Sequence, residues 1–257
     1  SLTQQEEPKF QLNNDLATTE YIIAAKFLTK RALNMEAIAA TFKPLWRSRN
    51  GFKVKNLGNH IILFIFDNET EVETIMANEP WTFDKHLMVL QRYSTESEGE
   101  NLSFNYTHFW VQVHGIPIRF MNPKVAEGLC ETAGRVVRHP NTPTEDGGDF
   151  KRVRVRVDIS KPLCRGRVVA LGDKKEQWVS FKFERLPNLC YWCGRLTHSD
   201  KECDVWVRSK GSLTENERQY GAWLRAPTFN MRKCATIKVG GAEDEERLHA
   251  ACAGEHG

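Results

Sequence analysis

The chain has 257 residues, of which 40% are hydrophobic and 27% charged, and its formal net charge at pH 7 is +3. This composition is typical of a globular protein with one or two packed domains. The longest apolar runs, such as Ile61–Phe66, are far too short to cross a bilayer, which argues against a membrane protein. No basic stretch precedes an apolar one near the start, so we expect an intracellular protein, in the nucleus and/or cytoplasm, that is not secreted.

Residues 1–19 are predicted to be a flexible N-terminus, and residues 20–93 to form the first folded unit. Its predicted elements are a strand or helix start at 20–29, a helix after Asn34, strands at 52–56 and 60–66, a helix at 69–78 and a strand at 86–92. Asn34 is a suitable N-cap, and Pro44 is expected to end or kink the helix that follows it. Residues 80–85 are predicted to be a loop.

This order of elements, βαββαβ, predicts an α+β fold of the RNA recognition motif type: an RRM-like sandwich with two helices on one face of an antiparallel sheet. The strand at 61–66 alternates two faces. We expect Ile62, Phe64 and Phe66 to pack under the helices. The opposite face is aliphatic and lacks the aromatic side chains that stack bases in that family. We therefore expect it to be covered by the second half of the chain or by a partner.

Residues 94–106 are predicted to be a linker, and residues 107–186 a second, small and basic α/β unit. It would comprise strands at 108–114, 150–159, 165–171 and 178–183, with a helix starting at Pro123. In the strand at 150–159, valines point one way, and Arg152, Arg154 and Arg156 point the other. Residues 151–210 hold 15 Lys and Arg against 7 Asp and Glu. Such clustering suits a polyanionic partner, although a solvated face gives the same pattern.

Residues 187–206 contain a metal-ligand spacing, C-x2-C-x4-H-x4-C, formed by Cys190, Cys193, His198 and Cys203. Three sulfurs and one nitrogen suit a tetrahedral Zn2+, and four protein ligands leave no place for water or substrate. The pattern thus predicts one structural zinc. The alternatives are buried thiols with a surface histidine, or a Cys190–Cys193 disulfide, which nothing in the sequence favours. Residues 207–257 are predicted to be a weakly structured tail.

The CCHC stretch resembles the zinc knuckle of retroviral nucleocapsid-type proteins. Trp46 and several further stretches resemble the plant domain of unknown function 4283 followed by a CX2CX4HX4C zinc knuckle: residues 78–84, 109–117, 152–163 and 184–194. This arrangement is similar to that of the first-open-reading-frame proteins of LINE-type retrotransposons. The resemblance covers roughly residues 20–205. It implies a nucleic-acid-binding role in a ribonucleoprotein particle.

One residue departs from the pattern of this family. Zinc knuckles usually carry glycine directly before the histidine, and this chain has Thr197 there. A β-branched residue tolerates a positive φ poorly. We therefore expect a strained or reshaped turn into His198 and a weakened affinity for zinc.

The sequence thus predicts zinc-dependent binding of single-stranded RNA or DNA. Tyr191 and Trp192 would stack on bases, and the candidate phosphate contacts are Arg195, Lys201, Arg152, Arg154 and Arg156. For Trp192, packing against the preceding unit is the alternative. A protein-interaction or self-association module with a purely structural zinc is the alternative, in which the two aromatics anchor an interface. No spacing supports a catalytic triad, a phosphate loop or an open metal site, so we expect neither an enzyme nor a small-molecule substrate.

Overall fold

The first unit is built on an antiparallel sheet in the computed structural model, which describes residues 20–93, 102–138, 145–146, 148–172 and 175–227. Its strands are β1 (Tyr21–Phe27), β2 (Lys53–Gly58), β3 (Ile61–Phe66), β4 (Trp81–Phe83) and β5 (His86–Tyr93). Their spatial order is β2-β3-β1-β5-β4. The predicted N-terminal segment, residues 1–19, lies outside the described residues.

Two helices begin where asparagine side chains cap them. Helix α1 (Met35–Trp46) follows Asn34, whose Oδ1 accepts a hydrogen bond of 3.0 Å from the backbone N–H of Ala37. Helix α2 (Glu69–Ala77) follows Asn68, whose Oδ1 accepts one of 2.9 Å from Thr70. Each cap satisfies a backbone donor that the first helical turn leaves unpaired. Pro44 does not end α1, which runs on to Trp46.

Both helices cover one face of the first sheet, as predicted. Ile38 and Phe42 of α1 and Val72 and Ile75 of α2 share a core with the inward face of β3, which consists of Ile62, Phe64 and Phe66. The opposite face is covered as well. Leu63 packs with Ile22 and Ala24, and with Leu102 and Phe104 from the predicted linker. That end of the linker is therefore part of the fold, whereas residues 94–101 lie outside the described residues.

The second sheet is also antiparallel. Its strands are β6 (Tyr106–His114), β7 (Arg135–Val136), β8 (Glu145–Asp146), β9 (Phe150–Asp158), β10 (Gly166–Ala170) and β11 (Glu176–Phe183). The main path is β10-β11-β6-β9-β7, with β8 pairing to β9. Helix α3 (Pro123–Cys130) packs on one face through Ala126 and Leu129. The chain is thus a mixed α/β protein with two antiparallel sheets.

Three short strands differ from the predictions. Residues 81–83, predicted as a loop, form β4, which pairs with β5 from Trp81 opposite Met88 to Phe83 opposite His86. Asp84 and Lys85, both with positive φ, form the two-residue turn between these strands, the geometry that tight hairpins favour. The two-residue strands β7 and β8 were not predicted either, because two residues are too few to show the alternation of apolar and polar side chains that identifies a strand.

The two units share a core. Leu87 and Val89 on β5 belong to the same buried cluster as Phe109 and Val111 on β6. None of the helices in the described residues is long and apolar enough to cross a membrane.

Candidate metal centre and nucleic-acid interface

The four predicted metal ligands lie together. The ligand atoms of Cys190, Cys193, His198 and Cys203 are all within 4.8 Å of one another. Tetrahedral coordination with Zn–S bonds of about 2.3 Å places two sulfurs about 3.8 Å apart. The cluster therefore fits one tetrahedral Zn2+ with only small ligand movements. Because all four positions are protein atoms, the zinc is structural.

Local hydrogen bonds fold the loop around the ligands. The N–H of Gly194 donates to the carbonyl of Cys190 over 2.8 Å, and the N–H of Cys190 donates to the carbonyl of Arg195 over 2.9 Å. Gly194 has φ +73°, a conformation that residues with a Cβ rarely adopt. Cys203 lies directly before helix α4 (Asp204–Ser209), so its sulfur faces the first N–H groups of that helix.

The three thiols differ in acidity. Burial raises the pKa of Cys190 and of Cys193 above the ordinary thiol value. Burial acts in the same direction on Cys203. Hydrogen bonds from the N–H groups of Trp206 and Val205, together with those from the other two thiols, outweigh it and lower its pKa. Zinc binds thiolates, so binding of the metal releases the protons that these thiols hold.

His198 is oriented by its neighbours. Its Nε2 lies 3.2 Å from the Sγ of Cys193, on the ligand side, and its Nδ1 lies 3.1 Å from the hydroxyl of Thr197. A partner on the second ring nitrogen fixes the ring and its tautomer for metal binding. Thr197 is not among the residues with positive φ, so the expected strain at this residue is absent. Its hydroxyl supports the histidine instead. The weakened affinity for zinc stays a prediction.

Trp192 is buried, which corrects its predicted role as a base-stacking residue. Only 8% of it is exposed, and its ring stacks on Trp206 with centroids 5.1 Å apart and an interplanar angle of 15°. The guanidinium of Arg218 lies 5.1 Å from the Trp192 centroid. Trp192 thus belongs to the core of the knuckle.

The other predicted knuckle contacts are more accessible. Tyr191 is half-buried, with Arg218 at 5.8 Å from its ring centroid. Arg195 and Lys201 are exposed. Within the described residues neither cation has a carboxylate partner, so their charge remains available to a phosphate.

The predicted arginine row is mostly occupied by internal contacts. Arg152 forms a bidentate ion pair with Glu184, at 2.9 Å from Nε and 2.8 Å from Nη2. Arg154 donates to the carbonyls of Ala77 and Glu79 at the end of α2, over 2.8 and 2.6 Å. Burial lowers its pKa to about 10. These two arginines connect elements of the fold, which corrects the prediction of a free phosphate track.

Arg156 differs from its two neighbours in the row. Its guanidinium lies 4.0 Å from the centroid of the Tyr106 ring, and Tyr106 is 40% exposed. Within the described residues it has no carboxylate partner. Of the three arginines, Arg156 is the one whose charge is still open to an anion.

The segment after the knuckle was predicted to be weakly structured, but residues 207–227 are folded against it. The N–H of Tyr220 donates to the carbonyl of Tyr191 over 3.1 Å, and the Tyr220 ring lies where a Cβ on Gly194 would be, 2.3 Å away. Further along, the N–H of Ala226 donates to the carbonyl of Phe183 on β11 over 2.9 Å. Residues 228–257 of the predicted tail lie outside the described residues.

Sequence reasoning missed the residues that hold the knuckle in place. Asp200 accepts a 2.6 Å hydrogen bond from the N–H of Tyr191 through Oδ1, and Trp206 and Tyr220 supply the aromatic contacts. Trp206, three residues after the last ligand, carried a weak signal as an aromatic beside a metal loop. Tyr220 carried no such signal, because it contacts the knuckle only where the chain folds back onto it.

Two family models match the chain. Residues 157–205 match a zinc knuckle family, and residues 16–100 match a family described as a domain of unknown function, DUF4283. The site and the family match thus agree on a protein with a zinc knuckle.

One relative is an uncharacterized protein of Arabidopsis thaliana, At4g02000, which is 26% identical over 136 residues. The match spans 51% of this chain and 41% of that protein. The chain therefore covers less than half of the relative's length. No solved structure matches the chain.

Proposed function

We propose that the chain binds single-stranded RNA or DNA and that its folded knuckle depends on zinc. Zinc knuckles generally bind nucleic acids. The observation that carries the proposal is the closed Cys3His cluster with Arg195 and Lys201 exposed beside it. A single strand is favoured over a duplex because its bases are free to contact side chains.

Zinc supports binding by stabilising the folded knuckle. The ligand loop is too short for a hydrophobic core of its own, and such sites obtain on the order of 10 kcal/mol of folding free energy from zinc. Once folded, the loop presents its two cations to phosphates. Bases would stack on the half-buried Tyr191 and on Trp223. Trp223 is 59% exposed and lies three residues after Tyr220, which contacts the knuckle.

The proposal also covers the architecture of the first unit and a role in a ribonucleoprotein particle. The two helices on one face of a sheet ordered β2-β3-β1-β5-β4 support an RRM-like architecture for the first unit. The resemblance to first-open-reading-frame proteins of retrotransposons supports a ribonucleoprotein role in the nucleus or cytoplasm. Binding rather than catalysis is proposed, since the knuckle has no coordination position for substrate.

Self-association is the second candidate. Trp178 on β11 is 50% exposed and lies opposite Val168 on the edge strand β10, which is 52% exposed. Apolar side chains gathered on a surface are a common mark of protein contacts. Sedimentation of the wild type and of Trp178→Ala checks this: a dimer that dissociates in the variant supports it, and a monomer at all concentrations contradicts it.

A titration of a labelled single-stranded oligonucleotide tests the main proposal. It is done at two salt concentrations, with and without a chelator, on the wild type, Cys203→Ser and Cys164→Ser. Cys164 lies outside the ligand cluster and serves as the matched control. We expect one zinc per chain and salt-sensitive binding in the wild type and the control. We expect both to be lost in Cys203→Ser. Absence of binding at low salt, or binding indifferent to zinc, contradicts the proposal.

A further inference from the structure

A cleft runs between the first unit and the segment that leads into the knuckle. It consists of two adjoining cavities of about 680 and 490 Å³, which share the residues Arg185, Leu186 and Arg225. We call this the inter-unit cleft. The first cavity is bounded by Trp81 and Lys85 of the first unit, and the second by Trp110 and Arg152 of the second sheet.

The cleft carries a surplus of positive charge. Four cations line it, namely Lys85, Arg152, Arg185 and Arg225, whereas Glu184 is the one acidic residue among the described lining residues. Glu184 is already paired with Arg152. Three positive charges therefore remain without a carboxylate among the residues that the structure describes.

Two of these cations are held without being neutralised. Arg185 donates through Nη2 to the carbonyls of Asn78 and Glu79 at the end of α2. Arg225 donates through Nη1 and Nη2 to the carbonyls of Leu186 and Pro187. A carbonyl fixes the position of a guanidinium but has no net charge to cancel it. The cleft thus holds preplaced cations whose field still faces solvent.

The walls of the cleft are aromatic and apolar. Trp81 and Trp110 line its two halves, and Leu45 at the rim is 53% exposed. Cations alternating with aromatic rings are the usual surface for a single strand, since phosphates meet the charges and bases meet the rings. The guanidinium of Arg152 lies 3.9 Å from the Trp110 centroid, and that of Arg185 lies 5.6 Å from the Trp81 centroid. Bases stack on guanidinium planes as well as on aromatic rings, whereas an acidic peptide would use only the charges.

The cleft also leads into the metal centre. Leu186, Pro187 and Asn188 form its floor, and Cys190 follows two residues later. The N–H of Asn188 donates to the carbonyl of Lys85 over 2.8 Å, which fixes this floor to the first unit. The cleft is therefore lined by the segment that runs directly into the metal loop.

We propose that the inter-unit cleft binds a single-stranded nucleic acid, with Lys85, Arg185 and Arg225 facing its phosphates and Trp81 and Trp110 facing its bases. This inference rests on the proposed function and places most of the binding surface outside the knuckle.

Charge reversal at the rim of the cleft tests the inference. Lys85 is exposed, and the structure gives it no ion pair within the described residues, so Lys85→Glu should fold normally. Lys124→Glu is the matched control: it makes the same change in net charge on α3, which packs on the face of the second sheet opposite Trp110. Both variants are checked first for one bound zinc per chain.

Oligonucleotide affinity is then measured over a range of salt concentrations. We expect Lys85→Glu to bind at least about fivefold more weakly at low salt, with the slope of log K against log salt reduced by about 0.7 or more. Lys124→Glu should change affinity by less than about twofold. A thiouridine-containing oligonucleotide should cross-link to peptides holding Trp81, Trp110 or residues 185–188.

The outcomes separate the two proposals. Unchanged affinity in Lys85→Glu, with cross-links confined to residues 190–203, overturns the cleft and leaves the zinc-dependent binding function standing. Absence of binding in the wild type removes both. Displacement of the oligonucleotide by polyglutamate at equal charge concentration also overturns the cleft as a nucleic-acid site, because it would then bind acidic chains without using its tryptophans.

Discussion

Trp192 stacks on Trp206 with the ring centroids 5.1 Å apart, and this pair forms the apolar centre of the zinc knuckle. One ring comes from between the first two ligands and the other from the helix after the last one. The zinc ligands and the stacked rings therefore both hold the start of the loop against its end.

Removing either ring should destabilise the knuckle. We expect Trp192→Ala and Trp206→Ala each to lower the free energy of unfolding by about 3 kcal/mol, with a coupling energy of about 0.5–1.5 kcal/mol in a double-mutant cycle followed by chemical denaturation. Trp223→Ala is the exposed control and should change stability little. Trp192→Phe should keep both stability and oligonucleotide binding. If that variant folds, holds zinc and yet fails to bind, Trp192 contacts the nucleic acid after all.

Gly194 should be intolerant of a side chain because of Tyr220. In Gly194→Ala the new Cβ would lie 2.3 Å from the tyrosine ring, on a backbone with φ +73°. Gly211→Ala is a close control, since its φ is +85° but no atom lies within 4 Å of the new Cβ. We expect a loss of about 1 kcal/mol in the control from backbone strain and roughly 2–3 kcal/mol more at Gly194. Equal losses in thermal or chemical denaturation would show that Tyr220 does not rest on the knuckle.

The ion pair of Arg152 and Glu184 should matter to stability because it is largely removed from solvent, at 14% and 12% side-chain exposure. Glu184→Gln removes the negative charge from this buried pair, which costs about 3 kcal/mol. Glu215→Gln breaks the exposed pair with Arg218 and should cost less than about 0.5 kcal/mol. Urea denaturation of both variants gives the comparison, and similar midpoints would mean that the second sheet does not depend on this pair.

His114 should make stability depend on pH. Burial, followed by the nearby Lys182, lowers its pKa to about 4 in spite of Asp149, whereas the unfolded chain has the ordinary value of 6.5. Between these values the unfolded state binds the proton and the folded state does not. The free energy of unfolding should therefore fall as the pH drops from about 6.5 to about 4.

His114→Gln should flatten that part of the pH profile. Gln112, whose Oε1 lies 3.2 Å from Nε2 of His114, is unchanged in the variant. Since zinc release also destabilises the protein in acid, the quantity to compare is the difference between variant and wild type at each pH, with bound zinc measured in parallel. A difference in the free energy of unfolding that stays constant from pH 7 to pH 4 would contradict a lowered pKa of His114.

Local patterns in the sequence predicted the elements and the metal site well. The alternation of valine and arginine at 150–159 defined β9, and the spacing of Cys190, Cys193, His198 and Cys203 was sufficient to define the zinc ligands. Both signals lie within a few residues, where backbone periodicity and ligand reach decide the result.

What could not be predicted depends on contacts between distant residues. The alternation of valine and arginine predicted β9. It could not show that Arg152 forms an ion pair with Glu184 or that Arg154 donates to a carbonyl at the end of α2. A polar strand face looks identical in sequence whether solvent or another element covers it. The packing of Trp192, Thr197 and Tyr220 was hidden for the same reason, because each depends on which neighbour the folded chain brings beside it.

The contact between Tyr220 and the knuckle also sets an order of events during synthesis. A chain emerges from the ribosome from its N-terminus, so the four zinc ligands leave the ribosome before Tyr220 and Ala226 do. The metal loop is local and can close at once, whereas its attachment to β11 must wait for the returning segment. In between, the loop already has all four zinc ligands but lacks the contact with Tyr220 that packs against it in the finished fold.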